Sequence, residues 1–571
     1  MGSCASTEKA FMKRDTAALT QAPYDVIVVG GGVNAVTCAL DAALRGLKVA
    51  LLERGDFGAA TSSNSSKIAH SGVRYLQHAD FKRLRESIRE RSFLMQNAPH
   101  LVHSQPVLFP FYGHGLKGPE VMTVYLKIYD LLSPERKRSA DPARRIPDAR
   151  VISKAETLKI APGLNPQGLT GAAVWHEGQI LNTERLLTAV VRTAVEHGAH
   201  VVNYAEVTRI VVENGAVQGV EAVDRLSGQA LSVRGRLVVN AAGPWSNGIL
   251  KTADARQKPY VAGSKSFSLL TRSLCDTHAL SIPTRPMYQD RKAVLDKGSS
   301  IQFAIPWRGA SLIGSLHLPA DEDPAKEGIS ETEIATYIEM INEGYPAARL
   351  TRADVKRVLW GMLPGEEQGM AAPEKQYLIV DHAEDDAIQG LISVAGVKFT
   401  TSRDVAQKAI DLVCRKLDHR RPSVSASTPL WGGDIASLEA FRQAGAKALA
   451  FLPPAVADRL LRTYGTQYEA ILELGRRRPE LMTVLPGSDV LQAEVVHAVT
   501  EEMAIRLGDV VLRRTDLGSL EYPGEAALRA CAQLMAKELG WDETKIALEI
   551  ADVTNNSGYN GRFHAQQDQA A

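Results

Sequence analysis

Two short apolar runs, Val26–Val29 and Val49–Leu52, frame the start of the chain, and the first is β-branched throughout. Runs of this kind suit parallel strands covered on both faces. Between them stand a glycine turn and a helical stretch, so residues 24–53, YDVIVVGGGVNAVTCALDAALRGLKVALLE, read strand, turn, helix, strand and terminal acid. Gly30 permits the tight turn, Gly32 lets backbone approach a pyrophosphate, and Ala35 keeps helix and strand close. The helix N-terminus offers unpaired N–H groups and a positive dipole end to phosphates. Glu53, about twenty residues past the glycines, is placed to accept a ribose hydroxyl. The pattern predicts a dinucleotide-binding unit. Glu53 would repel a 2′-phosphate, which disfavours NADP and leaves FAD and NAD both open.

Further along, SFSLL at 266–270, IQFAIPW at 301–307 and ASLIGSLHL at 310–318 alternate or run apolar between turn residues, which predicts an antiparallel sheet. SASTPLWGGD at 425–434 is a Ser, Pro and Gly-rich boundary. Beyond it, amphipathic patterns at 436–452, 455–475, 491–511 and 524–539 predict an all-helical domain. PEVMTVYLKIYDLL at 119–132 is a helix apolar on most faces, followed by Arg136, Lys137 and Arg138. It reads equally as a core helix with a solvated basic end or as an interfacial patch. FKRLRESIRER, ending at residue 91, reads as an ordinary solvated helix face because acids are interspersed.

Composition changes the picture only by exclusion. Sixty-six basic against 65 acidic residues leave no nucleic-acid footprint. Five scattered cysteines without a C-x-x-C suit a reducing compartment and argue against a disulfide framework or a zinc site; no metal is expected. No apolar run approaches the roughly 18–20 residues of a membrane span. Residues 1–23 lack a signal-peptide core and read as a disordered leader, although MGSCAS fits a myristoylation pattern at Gly2 with Cys4 nearby.

The segment TSSNSSKIAHSGVRYL at 61–76 carries a resemblance. It is similar to the ATSS-x-SSK-x-x-H-x-G-x-RYL segment of the FAD-dependent glycerol-3-phosphate dehydrogenase and oxidase family. VVNAAGPW at 238–245 and GVKFTTSR at 396–403 resemble that family's second and third flavin-contacting segments, and AEVVHAVTEEMAIRLGDVVLRRTDLG at 493–518 resembles its helical C-terminal domain. The resemblance runs from about residue 24 to about residue 550. It implies an α/β fold: an FAD-binding Rossmann-like domain from 24–110, 150–260 and 385–425, an antiparallel-sheet substrate cap from 111–149 and 261–384, and a helical domain over 430–555. It implies FAD, which a motif of backbone N–H groups and Glu53 would hold non-covalently, and oxidation of glycerol 3-phosphate with electrons passed to quinone or another acceptor. The setting expected is cytoplasmic, with contact at the inner membrane face, and a homodimer is left open.

A flavin takes a hydride from an alcohol or amine carbon, so the protein must supply a base and a few cations. The resemblance places His70 in the active site, Arg74 and Tyr75 on the substrate, and Lys398 where it steadies developing charge; His70, Arg74 and Lys398 are the catalytic candidates. Cofactor contacts expected are Gly30, Gly32, Ala35, Glu53, Arg54, Thr61, Ser62, Ser63, Lys67, Val207, Ala242, Gly243, Trp245, Gly396 and Thr400. Three departures bear on the substrate. The family's G-V-R-P-L, whose arginine binds phosphate, is GMLPG at 361–365; its G-S-H is Gly263, Ser264, Lys265; and its I-G-T-T-D is Ile313 to His317. Losing one charge-assisted bond costs roughly 1.5–3 kcal/mol. Lys265 and Arg308 are the candidate replacements, and His317 reads as a sheet histidine with its bonds satisfied. The alternative is a divergent flavoenzyme acting on another hydroxy compound or amine.

Overall fold

A computed structural model describes residues 12–115, 118–253, 262–285, 300–321, 323–366 and 371–556. Among these, the strands form two sheets. The first is built on Tyr24–Val29, which pairs in parallel with Val49–Leu52 on one side and Ala230–Asn240 on the other. His200–Val202 and Leu391–Ala395 extend the parallel array outward, and Leu378–Asp381 closes one edge antiparallel. Val26, Ile27 and Val28 are fully buried, as an apolar run requires when helices cover both faces. The helix Val33–Leu44 packs against Thr183–Glu196 and Ser402–Lys416 through small residues, Ala35, Cys38, Ala39 and Ala42.

The second sheet has nine strands: Val355–Gly365, Ala262–Arg272, Ala310–Pro319, Ser300–Trp307, Ala279–Thr284, Val102–Tyr112, Leu169–Ile180 and Ile68–Ala69 in order, with Arg150–Ser153 beside Leu169–Ile180. All its pairings are antiparallel except Ala279–Thr284 with Val102–Tyr112. Most of Val102–Tyr112 and all of Leu169–Ile180, which the sequence reading assigns to flavin segments, are therefore interior strands toward one end of the cap sheet. That reading fails because a long alternating strand carries no mark of the sheet it joins.

The C-terminal region is helical: Leu438–Ala448, Pro454–Tyr464, Tyr468–Arg477, Gln492–Glu501, Glu525–Leu539 and Glu543–Asn556. The expected helix over 455–475 breaks at Gly465, where φ is +54° and a Cβ would collide with the Gly432 carbonyl oxygen. Buried ion pairs join this region to the nucleotide-binding part: Arg513 and Arg514 reach Asp56 at 2.6 and 2.7 Å, and Arg185 reaches Glu502 at 2.6 Å.

Two further expectations are corrected. Residues 12–23 are packed, with Met12 bridged to Glu502, Leu19 buried and Arg14 2.6 Å from Asp224; Gly2 and Cys4 lie outside the described residues. The helix Phe81–Asn97 is not simply solvated, because Glu90 and Arg91 are buried. Glu90 pairs with Arg403 at 2.6 Å, and Arg91 donates to the His176 carbonyl at 2.7 Å.

Candidate active site

A cavity of about 1390 Å³ lies between the two sheets. Single ligand pockets are typically about 300–1,000 Å³, so this one has room for a dinucleotide and a second molecule. One end is formed by the glycine turn. Gly30 has φ +110°, and a Cβ there would sit 2.7 Å from the Ala241 carbonyl oxygen. Gly32 precedes the helix Val33–Leu44 with no capping side chain of its own, and the Ser62 hydroxyl accepts the Val33 N–H at 2.9 Å instead. Glu53 lines the cavity and accepts the Gly55 N–H at 2.7 Å. Burial pushes its carboxyl up to about 7 against the pull of the Gly55 and Gly31 N–H groups. A carboxylate so placed is stabilised by a hydroxyl donor such as a ribose. These residues fit an adenine dinucleotide.

The expected cofactor contacts divide cleanly. Gly30, Gly32, Glu53, Arg54, Thr61, Ser62, Val207, Ala242, Gly243, Trp245, Gly396 and Thr400 all line the cavity. Arg54 stacks over the Trp245 ring at 5.0 Å. Thr61 ties the turn to the cap strand: its hydroxyl donates to the Met362 carbonyl at 3.0 Å and accepts the Met362 N–H at 3.1 Å. Three do not reach the cavity. Ala35 is a buried helix-packing residue. Ser63 donates to the Gly58 carbonyl, and Lys67 is buried against Glu184 at 2.8 Å. Hydroxyls and a lysine in one motif look alike in sequence, but Ser63 and Lys67 turn inward to partners within the fold while Thr61, Ser62, Ser65 and Ser66 face the cavity.

At the other end stand His70, Arg74, Tyr75 and Lys398, drawn together from two chain segments. The His70 N–H donates to the Thr400 hydroxyl at 2.9 Å, which fixes the 61–76 segment against the 396–403 segment. The Lys398 ammonium lies 4.2 Å from the Tyr75 ring centroid, with the Arg74 guanidinium 5.7 Å from the same ring. Burial lowers Lys398 to about 7, and the charge of Arg74 acts in the same direction. Neither cation is paired with a carboxylate among the described residues.

Sequence reasoning missed Glu177. Its carboxylate accepts from Ser71 N at 2.5 Å, Ser71 Oγ at 2.7 Å and Trp175 Nε1 at 2.9 Å, and meets His70 Nδ1 at 3.1 Å. Burial alone would raise this carboxyl, but His70, Arg91 and Ser71 overturn that and hold it at about 2. The Gly72 N–H also donates to His70 Nδ1 at 3.0 Å, a neutral contact that favours a lone pair there. The charge-assisted contact with the ionised Glu177 is about twice as strong as a neutral one and outweighs it, so Nδ1 carries the proton and the lone pair falls on Nε2. The available signal was a lone acid inside the apolar strand Leu169–Ile180.

The candidate replacement cations are corrected. Lys265 points away from the cavity and pairs with Glu333 at 2.9 Å and Glu327 at 3.3 Å. Arg308 pairs with Asp516 at 2.8 Å and covers the Trp307 ring. His317, expected to be satisfied within its sheet, instead lines the cavity with a buried Nδ1 that has no hydrogen-bond partner.

Residues 25–399 match the family of FAD dependent oxidoreductases, and residues 423–546 match the C-terminal domain of alpha-glycerophosphate oxidase. The chain belongs to the FAD-dependent oxidoreductase family, and its fold is that of an FAD-binding enzyme. Within it, the chain is a glycerol-3-phosphate dehydrogenase-like oxidoreductase. It is 32% identical over 553 residues to a glycerol-3-phosphate dehydrogenase of Mycobacterium leprae, covering 95% of this chain and 88% of that one. It is 31% identical over 546 residues to one from Synechocystis, covering 92% and 95%. The solved glycerol-3-phosphate dehydrogenase of Bacillus halodurans, complexed with FAD, superposes with a TM-score of 0.74 at 24% identity, over 94% of this chain and 95% of that chain.

Proposed function

We propose that the protein oxidises sn-glycerol 3-phosphate to dihydroxyacetone phosphate and passes the electrons to a quinone at a membrane surface. The observation that carries the first part is the grouping of His70, Arg74, Tyr75 and Lys398 beside Gly396 at one end of a dinucleotide-sized cavity. Bound FAD would supply the two-electron acceptor for the hydride leaving the secondary carbon. His70 takes the hydroxyl proton on Nε2, while Glu177 holds the ring and stabilises its charge. Arg74 and Lys398 hold the phosphate and the oxygen that develops charge, and Tyr75 packs between them. The curated relatives named above are glycerol-3-phosphate dehydrogenases, which supports the substrate.

The second part rests on the helix Pro119–Leu131. Val121, Met122 and Tyr125 line the cavity, whereas Val124, Ile128 and Leu131 are exposed on the same helix, Leu131 at 80%. An apolar helix face beside a cavity mouth suits an interface that delivers a lipid-soluble acceptor. No helix among the described residues is long and apolar enough to cross a membrane. The basic cluster behind this helix is only partly available. Arg136 is buried against Asp130 and Asp148, and the exposed Lys137 pairs with Asp148, so Lys127 and Arg138 are the exposed cations there with no ion pair among the described residues.

One observation favours a second reading. Met362 and Leu363 stand where the resembled family has its phosphate arginine, Leu363 at the third place of the motif, and neither Lys265 nor Arg308 reaches the cavity to replace it. A hydroxy compound with less anionic character would suit that pocket better. The deciding experiment is anaerobic bleaching of the bound flavin by glycerol 3-phosphate against polyols, hydroxy acids and amino acids, followed by reoxidation with a short-chain quinone. Bleaching by another compound but not by glycerol 3-phosphate overturns the first reading. Fast reoxidation by oxygen with none by quinone overturns the acceptor.

A further inference from the structure

His317 is the one cavity-lining histidine on the cap sheet among the described residues, and nothing in the fold uses it. It lies on Ala310–Pro319, where it pairs in register with Ser266, and Ser266 pairs in turn with Gly361. Directly opposed residues of an antiparallel ladder project to the same face. All three line the cavity, and Gly361 abuts Thr61, the residue that ties the cap to the nucleotide turn. The row His317, Ser266, Gly361 therefore crosses the cap from the Thr61 tie toward Arg74. Polar groups buried in a native fold have partners, yet His317 Nδ1 is buried with none. The charged group that bears on it is Arg74, from the substrate-binding segment.

We propose that His317, with Ser266 beside it, is a substrate-specificity residue that binds a free hydroxyl on the carbon next to the one oxidised. This rests on the reading of a phosphorylated polyol as substrate, whose phosphate Arg74 and Lys398 hold. Burial and the charge of Arg74 keep the ring neutral at pH 7. A neutral imidazole offers one N–H donor and one lone-pair acceptor. That matches a hydroxyl, which both donates and accepts. It matches a phosphate poorly, since phosphate oxygens at this pH mostly accept, and the adjacent guanidinium already serves them. A site built to hydrogen-bond a hydroxyl rejects the analogue that lacks it, because its own buried groups are then left unpaired.

The test compares sn-glycerol 3-phosphate with propane-1,2-diol 1-phosphate, which keeps the phosphate and the secondary alcohol and lacks only the terminal hydroxyl. FAD-loaded wild type, His317→Leu and His317→Gln are assayed by anaerobic flavin reduction, with flavin occupancy read from the visible spectrum. Wild type should prefer the full substrate by about tenfold or more, the worth of one hydrogen bond whose loss strands a buried partner. His317→Leu should bring the two compounds to within about threefold, and His317→Gln, which retains a donor and an acceptor, should restore part of the preference. Equal losses on both compounds, or an unchanged preference in fully flavinated His317→Leu, overturn the hydroxyl subsite alone. Failure of both compounds to reduce the wild-type flavin overturns the phosphorylated-polyol reading and this subsite with it.

Discussion

His70 Nδ1 lies 3.1 Å from Glu177 Oε1, and that contact decides which ring nitrogen is left to act as a base. A carboxylate held ionised by a buried arginine and two Ser71 bonds keeps the proton on Nδ1. His70→Ala should then slow flavin reduction by about 10²–10⁴-fold, the usual worth of a general base. Glu177→Gln acts through the ring, so it should lower kcat within that range, leave KM nearly unchanged and leave flavin occupancy intact. A Glu177→Gln enzyme with wild-type kcat removes Glu177 from the mechanism.

Lys398 should leave its mark on stability before any substrate is added. Its folded value of about 7 lies below its ordinary 10.5. Between those values the unfolded chain holds a proton that the folded protein lacks, so unfolding free energy rises with pH across that window. The slope for one group is at most about 1.4 kcal/mol per pH unit. Denaturant titrations of cofactor-free wild type and Lys398→Met should show that rise in the first and its reduction in the second. Parallel profiles would mean that Lys398 is not perturbed.

Membrane binding should depend on apolar side chains more than on the basic cluster. Replacing Ile128 and Leu131 by serine removes exposed apolar surface without touching the buried Leu126 and Tyr129. Fully burying one such side chain is worth about 1.5–3 kcal/mol, so co-sedimentation with anionic vesicles should fall by at least about tenfold. Arg136→Ala, by contrast, should lower the melting temperature, because it removes the cation beside the largely buried Asp130. Unchanged vesicle binding by the double serine variant would return the helix to a plain surface element.

The phosphate pocket offers a gain-of-function test. Leu363→Arg places a guanidinium at the position of the family's arginine, where Lys265 and Arg308 do not reach. If glycerol 3-phosphate is the substrate, its apparent dissociation constant should drop by up to about 10- to 150-fold, the range for one charge-assisted bond. No improvement in a variant that keeps its flavin would favour a less anionic substrate.

The nucleotide end of the site was legible in the sequence because its chemistry is local. Gly30, Gly32 and Glu53 act through turn geometry and a fixed offset along one strand–helix–strand unit, and spacing alone conveys both. The grouping of His70, Arg74 and Lys398 was legible only through the family's motifs, since more than 300 residues separate Lys398 from the other two. Tertiary structure alone decided the rest. Glu177 reaches His70 from a strand more than 100 residues away, and an acid in an apolar run carries no sign of its partner. Lys67, Lys265 and Arg308 looked like ligands because a cation's residue type does not reveal whether a carboxylate waits for it; Glu184, Glu333 and Asp516 do. His317 went the other way, since strand alternation fixes only that it shares a face with its neighbours two residues away, and whether that face meets core or cavity depends on how two sheets pack.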